Sequence, residues 1–336
     1  GDARKRAATL NELIKADREA GAARTDRSRY LAAKGALELA APARDAFNAI
    51  PLTAPLKKSL EAKRNAMQAA LKAYGAANDY AIAEVSTAAT FEMAELYRRL
   101  GQDLLQSERP KNLQGEELEQ YDLLLEEQAY PFEEKAIEIH LVNAARPAQG
   151  VYDASVRASF DALAKLKPAR FAKVEQGADF VTDPAAVGAP LAAPGTADPA
   201  VAPVPAAAAP AGNAPIASRV PDAVALSEEG DTAGAPRRVS AAPTPAGPAV
   251  NLGIVRARNG QWAEAQAALE EAVKRNPASA VAHGQLGIVY RELGRFGDAE
   301  QAYRRALDLD PNSERVHRNL GVLLDLYLQQ PAEALA

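Results

Sequence analysis

The chain has 336 residues, 39 Lys and Arg against 44 Asp and Glu for a net charge of −5, and no cysteine. That length allows two or more domains with cores of their own, while the missing cysteine removes disulfides, thiolate metal sites and thiol nucleophiles together. Charge is balanced in every part, −1 over residues 1–182, −3 over 183–248 and −1 over 249–336, so no basic stripe exists to neutralise phosphates and nucleic acid is excluded as an expected partner.

No apolar run approaches the ~20 residues needed to span a bilayer, and no signal peptide is present. Because the chain opens at Gly1 rather than Met, an upstream segment such as a cleaved export signal is expected. Membrane association is then expected only through a partner or an upstream anchor.

Residues 1–182 carry helical patterns without the period-2 alternation of strands, which predicts an all-α, antiparallel helical array resembling an α-solenoid. One helix is predicted to start after the cap candidates Thr25 and Asp26 and to run toward Pro42, stopping or bending there. The next carries Leu56, Leu60, Met67, Leu71 and Tyr74 at helical spacing and is predicted to end at Gly75. A long helix is expected from about Asn78 to Glu108, with Ile82, Val85, Met93, Leu96, Tyr97, Leu100 and Leu104 on one face.

A helix beginning near Gly115 contains EEQAYPFEEKAIEIH, residues 126–140, a crowd of titratable groups around one proline. Its apolar positions Leu118, Tyr121, Leu125, Ala129, Phe132, Ala136 and Ile139 step by three and four across Pro131, which predicts a single kinked helix. Glu126, Glu127, Glu133, Glu134 and Glu138 fall off that stripe and read as a solvated face. A helical metal site would use Glu-x-x-His, whereas Glu138-x-His140 points two side chains about 200° apart. No metal, cofactor or catalytic residue is expected. A further helix is predicted over about Tyr152–Leu166, before KPARFAKVE.

From Asp183 to about Pro248 the composition changes, and 13 of the 23 prolines lie there among Ala, Gly, Val and Thr. This reads as a disordered Pro/Ala-rich linker, about 45 Å long on average as a coil and about 200 Å if polyproline-extended, tethering two parts over a long distance.

Residues 249–336 repeat. Leu252-Gly253, Leu286-Gly287 and Leu320-Gly321 are spaced by 34, as are Ala265 and Ala299, Ala272 and Ala306, and Pro277 and Pro311. This resembles the tetratricopeptide repeat, a helix–turn–helix unit of that period, with two complete repeats and a truncated third. Gly253 and Gly287 are expected to let paired helices approach, and Pro277 and Pro311 to stop them. Trp262, matching Phe296, reads as packing, as do the equivalent His283 and His317. The resemblance places the concave, partner-binding groove on Val250, Ile254, Arg258, Ile288, Arg291, Arg315 and Arg318. The family's chaperone-binding form would need Lys and Asn where Val250 and Ile254 stand, so an extended or helical peptide with apolar anchors and acidic character is expected instead.

The runs RSRYLAAKGALELA, APLKKSLEAKRNAMQAALKAYGAANDYAIAEVSTAATFEMAELY, SERPKNLQGEELEQYDLLLEEQAYPFEEKAIEIH and GVYDASVRASFDALAKLKPARFAKVE are, with the terminal repeats, similar to bacterial envelope proteins found with TonB/ExbB/ExbD-type energised systems and to a lipoprotein of the myxobacterial gliding machinery. The resemblance implies a non-enzymatic periplasmic scaffold that binds protein partners, or an outer-membrane lipoprotein if a lipidated cysteine lies upstream. No such cysteine precedes Gly1, and the linker has no counterpart in that group. A pilus or secretion assembly factor is the alternative implied by the same fold, and a cell-wall hydrolase would need a nucleophile, base and orienter that the sequence does not offer.

Overall fold

The computed structural model describes residues 2–181 and 246–334. Among them are thirteen α-helices and no strand. The N-terminal array comprises α1 (Asp2–Glu19), α2 (Asp26–Asn48), α3 (Leu56–Asn78), α4 (Ala83–Leu105), α5 (Glu116–Ala144), α6 (Ala154–Leu166) and the single turn α7 (Pro168–Phe171). The repeat module comprises α8 (Gly247–Arg258), α9 (Trp262–Arg275), α10 (Ala280–Glu292), α11 (Phe296–Leu309), α12 (Glu314–Leu326) and α13 (Pro331–Ala334). The disorder expected of the Pro/Ala-rich stretch lies outside the described residues.

Local chemistry explains some of the helix ends. At α2, the Thr25 hydroxyl accepts from the Ser28 N–H and the Ser28 hydroxyl accepts from the Thr25 N–H, each at 3.1 Å, a reciprocal cap. The helix continues through Pro42 to Asn48. Its C-terminal carbonyls are met by a buried cation, because Lys63 Nζ donates to Phe47 O at 3.1 Å and Ile50 O at 2.7 Å while pairing with Asp103 at 2.8 Å. Gly75 does not end α3, which runs on to Asn78; nothing forces a left-handed residue there, and the turn comes at Ala81 with φ 53°. Accordingly α4 begins at Ala83, later than the spacing predicts.

Helix α5 is continuous across Pro131, as its unbroken apolar stripe requires. Asn143 on α5 donates to Thr87 O on α4 at 2.9 Å and to Ser159 Oγ on α6 at 3.0 Å, and the α6 cap Asp153 accepts from Thr87 Oγ1 at 2.5 Å. These bonds tie three helices at one buried point and satisfy polar groups that burial would otherwise penalise.

In the repeat module the marker residues do the packing expected of them. A Cβ on Gly253 would stand 2.5 Å from the Leu269 side chain, and one on Gly287 would stand 2.3 Å from the Tyr303 ring, so only glycine admits the facing helix. Ala265 and Ala299 are fully buried opposite them. His283 and His317 place Nε2 at 3.1 and 2.9 Å from the carbonyls of Pro277 and Pro311, the same packing bond in successive repeats. Trp262 packs against the core of the first two repeats.

The two halves touch directly. Ile137, Ala144, Val156, Phe160, Leu163 and Phe171 share one core cluster with Val322 and Leu326 of α12. Phe160 stacks on Tyr327 at 4.8 Å between centroids, Phe296 stacks on Tyr327 at 5.0 Å, and Tyr152 meets Phe296 edge-on at 5.0 Å. Helices α6 and α7 and the repeats thus bury one aromatic cluster together.

Candidate functional site

Helices α8, α10 and α12 line the concave side of the repeat module, and each carries an amide side chain just before its Leu-Gly pair: Asn251, Gln285 and Asn319. Such a side chain offers one donor and one acceptor, the same pair that a peptide unit presents. At 34-residue spacing the three form a ladder along the groove.

That groove holds a segment of the chain itself. After α7, residues 172–181 adopt no helix and run along the ladder as a strap. The Gln176 N–H donates to Asn319 Oδ1 at 2.8 Å, and Asn319 Nδ2 donates back to Gln176 O at 3.0 Å. Five residues on, the Val181 N–H donates to Asn251 Oδ1 at 2.7 Å and Asn251 Nδ2 donates to Val181 O at 2.9 Å. Between these clamps a Cβ on Gly177 would lie 3.9 Å from Gln285 Oε1, and Ala178 is buried. The strap therefore runs from the third repeat to the first, opposite to chain order. Two-way bonding to one residue's N–H and C=O reads main chain and not side chain.

Side-chain selectivity comes from one buried ion pair. Arg291 holds Glu175 Oε2 from Nη2 at 2.8 Å and from Nε at 2.9 Å, with the two side chains 14% and 1% exposed. Burial raises the Glu175 carboxyl against the pull of Arg291. Burial also works against the Arg291 charge, yet Glu175, Tyr327 and Glu292 hold the guanidinium above its ordinary value. The Tyr303 hydroxyl, also buried, faces the Glu175 carboxyl, and burial together with that carboxylate raises it well above its ordinary value. At the edges, Lys173 pairs with Asp325 at 2.8 Å, Arg258 donates to Ala178 O at 3.3 Å, and its guanidinium lies 4.7 Å from the Phe180 ring centre.

The seven residues expected to line the groove fall into distinct environments. Val250 and Ile254 are 0% and 2% exposed, within the cluster that takes in Ala178 and packs Val181, so they present no open surface. Ile288 is half-buried against the neighbouring cluster. Arg291 meets Glu175 of the same chain. Arg258 crosses the strap. Arg315 lines a small cleft with Gln176 and Gln285, and Arg318 an open cleft of about 430 Å³ with Lys173, His317 and Asp325. Asn251, Gln285 and Asn319 were not among the expected residues, although an amide before every Leu-Gly at a 34-residue period is a signal legible in the sequence.

The acidic stretch on α5 is built differently. Glu126, Glu127, Glu133, Glu134 and Glu138 are all exposed, and Glu138 pairs with Lys135 at 2.8 Å. His140 is fully buried on the other side, its Nε2 3.4 Å from Glu95 of α4. Burial opposes the Glu95 charge, but His140 and Arg98 outweigh it and bring its carboxyl down to about 2. Among the described residues no group of three His, Asp or Glu is placed to hold a metal ion, and no helix is long and apolar enough to cross a membrane.

A comparison with curated protein sequences finds no match. Residues 250–314, spanning α8 to α11 and the start of α12, match the family model described as tetratricopeptide repeat, so the module whose groove grips the strap is a tetratricopeptide-repeat, protein-interaction module.

Proposed function

We propose that this protein is a non-enzymatic adaptor of the bacterial cell envelope, working in the periplasm, that joins protein components of an energised assembly of the TonB/ExbB/ExbD or gliding type. The observation that carries the adaptor reading is the groove's grip on an extended polypeptide through its main chain, Asn319 on residue 176 and Asn251 on residue 181. A site of that kind recognises polypeptide and performs no chemistry on it. The similarity of the N-terminal runs to envelope proteins supports the compartment and the class of assembly. Components of that assembly meet either the repeat groove or the exposed faces of the N-terminal array.

The test is site-specific photo-crosslinking in living cells, with the crosslinker placed in turn at exposed Arg318 beside the groove and at exposed Glu134 on α5, followed by fractionation of the envelope. Adducts with motor or outer-membrane components in the periplasmic fraction are expected. Adducts with cytosolic proteins alone would overturn the compartment, and turnover of a cell-wall substrate by the purified chain would overturn the non-enzymatic role.

A further inference from the structure

We propose that the repeat groove accepts an extended, acidic segment of a protein partner in place of residues 173–181, and that the strap is a resident copy of that partner's pattern: a carboxylate, a small residue three positions later and an aromatic two beyond that. The inference rests on the adaptor reading and names the ligand of its groove.

Four observations support it. Both clamps hold main-chain groups, so any extended segment of suitable side chains meets the same Asn251 and Asn319 donors and acceptors. The pocket is built for a carboxylate, since Glu175 is buried between the Arg291 guanidinium and the Tyr303 hydroxyl, and an acidic residue of a partner meets the same two groups. Arg258, Arg291, Arg315 and Arg318 along the groove outnumber the carboxylates Glu292, Asp310 and Asp325 beside them, which favours a carboxylate at the Arg291 position over a neutral residue.

The fourth observation is topological. The strap's last described residue, Val181, is bonded to Asn251, only five residues beyond Ala246. The strap can peel away from its Val181 end while Phe171 stays anchored in the aromatic cluster. A segment anchored in a core at one end and held beyond it by hydrogen bonds and one ion pair is displaceable without separating the halves of the molecule.

The experiment uses the full chain and a fluorescent peptide of residues 172–181, AKVEQGADFV. In a strap variant carrying Glu175→Lys and Gln176→Pro, which loses the ion pair and one clamp donor, peptide affinity by anisotropy is expected to rise about tenfold or more over wild type. Adding Asn319→Ala to that variant should cancel the gain, and a peptide with Lys in place of its glutamate should not show it. Equal peptide affinity for wild type and strap variant, with unchanged circular dichroism, would overturn the proposal.

A second measurement covers the case of a misfolded variant. On wild-type chain, excess peptide should speed hydrogen exchange at the Gln176 and Val181 amides, and unchanged exchange at saturating peptide would equally overturn it. Light scattering should give the mass of one chain for wild type; a two-chain mass abolished by the strap substitutions would assign the groove to a second copy and overturn the partner assignment. The adaptor reading stands or falls separately, on adducts formed from α5 and Arg318 in the envelope.

Discussion

Two acidic features of this molecule invite comparison: the five glutamates within residues 126–138 of α5 and Glu175 on the strap. The first group is dense in sequence, exposed, and met by little beyond Lys135. The second is one carboxylate with a 1% exposed side chain, held by two nitrogens of Arg291. Density of charge along a helix measures contact with water, whereas a lone buried carboxylate must be repaid by a specific partner. The difference teaches that this chain's recognition chemistry sits where a charge is buried and paired, not where charges are crowded in water.

The sharpest way to break the comparison is Arg291→Met. It leaves Glu175 buried without its counterion, a change that costs about 3 to 5 kcal/mol when both groups stay in place. Strap release limits that cost, so hydrogen exchange at residues 173–181 is expected to accelerate well before global unfolding shifts. Denaturant titration and exchange on the same sample check both parts.

Asn319→Ala and Asn251→Ala come next. Each deprives one strap residue of a donor and an acceptor, and each is expected to cost about 1 to 3 kcal/mol of strap docking. Exchange should open locally, at Gln176 for the first and at Val181 for the second, with circular dichroism unchanged. A uniform loss of stability in place of this local pattern would show that the amides serve the repeat core.

A smaller effect appears only in acid. The Glu95 carboxyl lies at about 2 in the folded chain against an ordinary 4.5, held down by His140 and Arg98 against the opposing effect of burial. Because the folded value is depressed, the stability it contributes is present above about pH 4.5 and is lost as pH falls toward 2. Glu95→Gln should therefore flatten the acid limb of a stability–pH profile between those values. The smallest effect is expected from Glu133, Glu134 and Glu138 together. Their replacement by Gln should change stability by about 0.5 kcal/mol or less per site, since the first two are solvated and the third makes one exposed pair. A loss as large as that of Arg291→Met would erase the distinction between the two acidic features.

The helical repeats were readable in the sequence because steric needs recur at fixed intervals: Gly253 and Gly287 admit Leu269 and Tyr303, which are themselves 34 residues apart. The cap of α2 was readable for a similar reason, as Thr25 is a residue whose side chain accepts from an unpaired helix N–H. The strap was not. Its residues AKVEQGADFV show neither helical nor strand periodicity, and what fixes them is bonding of their main chain, which no side-chain pattern records. Only the host side of that contact, the recurring amide of Asn251, Gln285 and Asn319, left a trace. Gly75 misled because glycine often closes a helix, yet a Cβ there would meet nothing within 4 Å and the helix simply passes through.

The direction of the strap gives the groove a polarity. Asn319 takes the earlier residue and Asn251 the later one, so any segment read by the same two amides lies with its N-terminal end at the third repeat. Whatever follows the C-terminal end of such a segment is thereby delivered beside α8, and a peptide of reversed sequence would present every side chain to the wrong repeat.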